Sequence, residues 1–195
     1  KNLILWDTPG LGDGRDADIR HSKIIIDKLN ELDSDGNLLI DLVLVILDGG
    51  TRDYGTTFQL INEVIIPNLG DEKNQRLLVA INRADRAMSE KHWDNIKNQP
   101  KPELIEFLDK KAESVKRRIK ESTGVIIDPI YYSAGAKEID EDQKPPYNLS
   151  KLLYYILKNT PKKKRLVLAD NMNTDSEVWK SDDEIIDYNK EIKKG

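Results

Sequence analysis

The chain contains no cysteine. Disulfides and thiolate metal sites are therefore excluded, and the composition suits a reducing, cytoplasmic setting. Long apolar runs are missing as well. The longest, Leu42 to Leu47, is far short of the roughly 20 residues that a membrane-spanning helix needs. There is no basic surplus: 31 Lys and Arg stand against 35 Asp and Glu, a net charge of −4, which argues against a dedicated nucleic-acid binder. No internal repeat and no signal peptide are visible. Also absent is any Gly-x-x-x-x-Gly-Lys-Ser/Thr run, whose backbone amides would cradle nucleotide phosphates.

What remains is enough chain for a sizeable core. The 195 residues suit one domain over 1–161 with a polar C-terminal extension over 162–195. Short apolar runs alternate with longer amphipathic stretches, the pattern of a parallel sheet covered by helices. Strands are predicted at Leu3 to Trp6, Leu42 to Leu47, Leu77 to Ile81 and Ile126 to Tyr132. Pro129 removes a ladder donor and places the last of these at a sheet edge. A mobile loop is predicted from Gly10 to Asp18, a region rich in Gly and Asp. Helices follow from the spacing of Ile19, Ser22, Ile25, Ile26, Leu29 and Leu32, and of Phe58, Ile61, Val64 and Ile65, the latter stopping near Pro67. A long helix runs from Pro102, a residue suited to a first turn, to a C-terminal cap at Gly124. Asn148 is expected to cap a further helix carrying Leu149, Leu152, Leu153, Ile156 and Leu157, ended by Pro161. Ser181 with Glu184 fits a capping box for a short terminal helix.

Three motifs carry chemistry, and each directly follows a predicted strand. Asp7-Thr8-Pro9-Gly10 puts a carboxylate beyond a strand's carboxyl end, where parallel sheets bind ligands. A carboxylate there can hold Mg²⁺ through a water, and Gly10 lets a backbone N–H approach a γ-phosphate. Asn82-Arg83-Ala84-Asp85 supplies the second. Guanine presents N1–H and an exocyclic NH₂ side by side, two donors matched to the ionised carboxylate of Asp85. Adenine would present an acceptor there instead. Asn82 can tie neighbouring loops together and touch the base. Ser133-Ala134-Gly135 is the third, with the Ala134 N–H able to donate to guanine O6. Taken singly, each is also an ordinary loop sequence. Their order and helix-sized separation point jointly to guanine-nucleotide binding.

With these residues the chain resembles the Era-like branch of the translation-factor-type P-loop GTPases, and within it a bacterial, prophage-associated group of ribosome-binding or HSR-related GTPases. The resemblance extends to Leu42 through Gly50, Val64 through Gly70 and Pro145 through Leu153, and covers essentially Asn2 to Thr160. It implies a three-layer α/β/α P-loop NTPase fold with a mostly parallel sheet, here without its first strand, phosphate loop, first helix and second strand. It implies GTP or GDP with Mg²⁺ as ligands, Asp7 as the Mg²⁺ residue, and a nucleotide site of Asp7, Gly10, Asn82, Arg83, Asp85, Ser133, Ala134 and Gly135. The chain departs from the family pattern at three points. Arg83 replaces the usual lysine, with a stem that can still lie over the base. Gly135 replaces a lysine and covers the base less. Leu11 stands where Ras-like proteins carry a water-orienting glutamine, so hydrolysis needs another group, a cation or a partner; Asp13 and Arg15 lie nearby.

The parent protein is expected to be a GTP-hydrolysing switch whose Gly10 to Asp18 loop is ordered by the γ-phosphate. The chain itself, opening at Lys1 on the strand before Asp7, is expected to bind nucleotide weakly and not to hydrolyse it. Its rivals are a non-hydrolysing interaction module and a ribosome- or RNA-associated factor; ATP-directed chemistry is a weaker option. Two apolar strand edges would be exposed. They invite direct pairing of Leu3 to Trp6 with Leu42 to Leu47, or a homodimer. His21 and His92 are read as ordinary helix residues, Lys162 to Arg165 as a helix ending that can also touch RNA phosphates, and Trp179 as packing onto the domain. Lys110, Lys111, Lys116, Arg117, Arg118 and Lys120 read as a solvated helix face.

Overall fold

A computed structural model describes residues 4–8, 14–135, 144–162, 164 and 165. Gly10, Leu11, Asp13, Trp179 and the Ser181–Glu184 capping box lie outside the described residues. Three parallel strands form the central sheet in the order β1-β2-β5: β1 is Val43–Asp48, β2 Leu77–Asn82 and β5 Ile130–Tyr131. All six residues of β1 pair with β2, from Val43 opposite Leu77 to Asp48 opposite Asn82.

Strand alternation divides the core between the two faces of this sheet. Val45, Leu47, Leu77, Val79 and Ile81 point to one side, where they meet helix α1 (Arg15–Leu29), helix α2 (Gly55–Gln59) with its continuation, and helix α4 (Pro102–Thr123). Leu78, Ala80 and Ile130 point to the other, against Leu152 of helix α5 (Leu149–Asn159). The result is an α/β protein with helices on both faces of a small parallel sheet. Helix α2 runs on as a π turn (Leu60–Ile65) and a single 3₁₀ turn (Ile66–Asn68) before the short helix α3 (Lys73–Arg76).

Helix α4 has the ends its sequence announces. Pro102 sits in its first turn, and Gly124 closes it in the left-handed region at φ 74°, its N–H donating to the Lys120 carbonyl at 2.8 Å. Asn148 precedes α5 as predicted but does not cap it through its side chain. It lies at φ 55°, and its amide donates to the Tyr131 carbonyl instead, fastening the helix start to β5. Beyond α5, Arg165 donates to the carbonyls of Thr160 and Lys158, and Lys164 pairs with Asp41. Two members of the basic run therefore serve the helix end and the domain.

Several expectations need correction. Ile4, Leu5 and Trp6 form no strand; they are 69%, 83% and 53% exposed. A segment this short gains few ladder bonds, and its direct pairing with β1 does not occur. Trp6 instead lies under the Lys28 ammonium, 3.7 Å from its ring centroid. Residues 15–18 belong to α1 rather than to a loop, because Asp16 and Asp18 in the first turn complement the helix dipole. The strand predicted at Ile126 to Tyr132 shrinks to Ile130–Tyr131, with Pro129 just outside it, and it is the edge strand on its side of the described sheet. A hairpin was not anticipated. Strands β3 (Trp93–Asp94) and β4 (Gln99–Pro100) pair antiparallel, with Trp93 edge-on to Tyr147 at 5.4 Å. Asn98, at φ 52°, donates from there to the carbonyls of Pro145 and Pro146.

The stripe on α4 is not uniformly solvated either. Arg118 stacks on Phe58 at 4.2 Å, and Lys111 is folded inward onto backbone carbonyls, because both long stems cover apolar rings on the core side.

Candidate functional site

The carboxyl ends of β1, β2 and β5 deliver three loops to one place, the position where open parallel sheets present ligand-binding groups. From β2 comes Asn82-Arg83-Ala84-Asp85, from β5 Ser133-Ala134-Gly135, and from β1 Asp48-Gly49-Gly50-Thr51.

The first two loops are joined by side chains. Ser133 Oγ donates to Asp85 Oδ1 at 2.7 Å, and Gly135 N–H donates to that same hydroxyl at 3.4 Å. Asn82 Oδ1 accepts from the N–H of Ala134 at 3.2 Å and from that of Arg83 at 2.7 Å. The backbone adds Ala84 N–H to the Tyr132 carbonyl at 3.1 Å. Ser133 is itself buried and fixed by a reciprocal pair of 2.9 Å bonds with Tyr147. Asp85 is consequently a mostly buried carboxylate with one oxygen held by a hydroxyl and the other 3.7 Å from Arg86 Nε. A carboxylate has about four acceptor positions, more than these two contacts occupy.

Gly135 is required by this geometry. It lies at φ 76°, and a Cβ there would stand 2.3 Å from the Lys144 carbonyl oxygen. A lysine at this position has no room in the loop as folded. The Arg83 guanidinium is engaged at its tip: Nη1 donates to Asp48 Oδ2 at 2.7 Å. The Ala134 N–H, expected to be able to donate to guanine O6, donates here to Asn82 Oδ1.

In sequence the third loop, Asp48-Gly49-Gly50, reads only as a strand ending. In the fold, Gly49 N–H donates to the Asn82 carbonyl at 2.7 Å, and a Cβ on Gly49 would stand 2.9 Å from that oxygen. Two backbones touch here, which only glycine permits. A Gly-Gly pair directly after a buried strand was the available signal. Beneath the turn, Lys111 Nζ donates to the Gly49 carbonyl and, at 2.7 Å, to that of Thr51, while Tyr54 Oη donates to the Asp48 carbonyl. Burial lowers the Lys111 pKa, with Asp48 opposing the shift.

Asp7 stands apart from these contacts, exposed in the irregular segment 4–8. Gly10 falls outside the described residues. Among the described residues no three His, Asp or Glu side chains gather as a ready-made metal cage. A lone carboxylate such as Asp7 suits a cation that keeps its waters and draws its other ligands from phosphates.

Tyr54 gives the turn a measurable signature. Burial first, and the Asp48 charge second, push its pKa up to about 12. The neutral phenol is favoured in the folded state. Its stabilising contribution is complete below the unfolded pKa near 10 and fades as pH rises towards 12. Alkaline titration of tyrosinate absorbance should show a late-ionising component, to which buried Tyr132 also contributes, and Tyr54→Phe should reduce it by one tyrosine; an undiminished late component in that variant would contradict the assignment.

Comparison of the chain with family models, with curated proteins and with solved structures yields no match. The functional reading accordingly rests on the residues and their geometry.

Proposed function

We propose that this chain is a guanine-nucleotide-binding protein of the Era-like type with a P-loop GTPase-related fold, and that Asp85 reads the base. What supports the reading is the Asp85 carboxylate at the carboxyl edge of a parallel sheet, aligned by the Ser133 hydroxyl, with Asn82 bridging to Ala134. A carboxylate so oriented pairs with the N1–H and 2-NH₂ of guanine. Adenine would turn a ring lone pair towards it, leaving a partly buried charge without its donors.

With a guanine nucleotide bound, Asp7 would hold Mg²⁺ through a water and Gly10 would serve the phosphate end. Mg²⁺ would supply charge neutralisation at the phosphates. These 195 residues contain no Gly-x-x-x-x-Gly-Lys-Ser/Thr run, so they are expected to read the base, to bind nucleotide weakly and not to turn it over.

Amide NMR tests this directly. GMP at millimolar concentration should shift the resonances of residues 83–86 and 133–135, with AMP weaker by about tenfold or more. Equal responses to the two nucleotides, or none to either, would overturn the reading in favour of an interaction module that uses the same fold.

A further inference from the structure

We infer that Asp48 is a positioning residue for base recognition: its carboxylate holds Arg83 in a left-handed backbone conformation and thereby aims Asp85. This inference rests on the guanine reading above. Arg83 sits at φ 60°, ψ 39°, a region that non-glycine residues seldom occupy. It is the second residue of the four that end in Asp85, so the turn direction at Arg83 sets where the Asp85 carboxylate points.

Two contacts hold Arg83 in that conformation. Its N–H donates to Asn82 Oδ1 at 2.7 Å, and its guanidinium reaches Asp48 Oδ2, also at 2.7 Å. Asp48 is anchored in turn. Its Oδ1 accepts from the Gly50 N–H at 2.8 Å, its carbonyl accepts from Tyr54, and Lys111 grips the carbonyls of Gly49 and Thr51. Gly49 then brings this braced turn into backbone contact with Asn82. One chain of contacts thus runs from α4 through the β1 turn to Arg83. The Asp48–Arg83 pair is half-exposed, so its Coulombic worth is small. Its role is geometric.

The replacement of the usual lysine by Arg83 acquires a purpose in this arrangement. A guanidinium can donate to Asp48 from a fixed planar fork, whereas an ammonium is a point charge on a flexible stem.

The test reads discrimination between GMP and IMP, which differ only in the 2-amino group. The 195-residue chain should prefer GMP by about tenfold if both donors meet Asp85. In Asp48→Asn the Gly50 contact can persist while the charge pairing is lost. The GMP to IMP ratio should fall by roughly three- to fivefold, with the melting transition little changed, since the pair is half-exposed. Glycine adopts positive φ without penalty, so Arg83→Gly should make Asp48 dispensable: adding Asp48→Asn to it should cause no further loss. An unchanged ratio in Asp48→Asn, or an equal additional loss in the Arg83→Gly background, would overturn the inference. Failure of the parent chain to bind GMP at all would instead strike the guanine reading. In that event the Arg83 amide–α-proton coupling decides separately whether Asp48→Asn releases the left-handed conformation.

Discussion

Asp85→Asn is expected to exchange guanine preference for xanthine preference. The carboxylate offers two acceptors to guanine's N1–H and NH₂. An amide offers one acceptor and one donor, which matches xanthine, where a carbonyl replaces the amino group. The Ser133 hydroxyl can rotate to serve an amide as well as a carboxylate, so the substituted side chain keeps its support. Guanine would then set its NH₂ against an NH₂, a loss of about 10² in affinity for an unmatched buried polar group. Titrating the variant with XMP and GMP while following residues 83–86 should show XMP ahead by about tenfold. A variant that keeps GMP ahead of XMP would show that Asp85 does not touch the Watson–Crick edge.

The second large effect is on stability. Arg76 is buried, ending α3 just before β2, and its two guanidinium nitrogens donate at 2.7 Å to the carbonyls of Leu69 and Ile40. Those carbonyls belong to the loops that lead into β2 and β1. Desolvation lowers the Arg76 pKa, and the charges of Glu72 and Asp41 oppose it. Arg76→Ala removes both donors and the stem that fills the space between the loops. We expect a loss of about 2–5 kcal/mol, a large share of the 5–15 kcal/mol typical of a domain. Urea unfolding should show a lower midpoint at unchanged slope. Arg76→Lys can serve one carbonyl and should recover part of the loss. A midpoint in Arg76→Ala equal to that of the parent chain would contradict this account.

How much of the molecule its sequence disclosed depends on the length scale of the signal. Strands β1 and β2 are continuous apolar runs bounded by polar loops, and their limits were readable almost to the residue. Helix α4 was bracketed by Pro102 and Gly124, residues with fixed backbone preferences. The hairpin at Trp93–Pro100 was invisible because strands of two residues have no alternation to detect. The exposed run at Ile4 to Trp6 misled for the opposite reason: its apolar pattern is strand-like, but a strand exists only with a neighbour. In the candidate site, Asn82, Asp85 and Ser133 were found because their spacing resembles a known pattern. Asp48 and Lys111 leave no local signal because their contacts lie 35 and 62 residues away in sequence, and Tyr54, only six residues from Asp48, leaves none because the bond depends on how the turn folds. Charged residues were the hardest to judge. Lys111 and Arg76 look like ordinary surface cations until the carbonyls they serve are known.

Helix α4, 22 residues and so about 33 Å long, is buried along one face from Leu104 and Leu108 to Val115 and Ile119, and it reaches three other parts of the fold. Its first turn abuts the hairpin strand β4, its middle grips the β1 turn through Lys111, and near its end Ser122 meets Asn62 of the π turn. A rod packed along its whole length fixes the hairpin, the β1 turn and the π turn relative to one another, although none of the three is adjacent in sequence to the others.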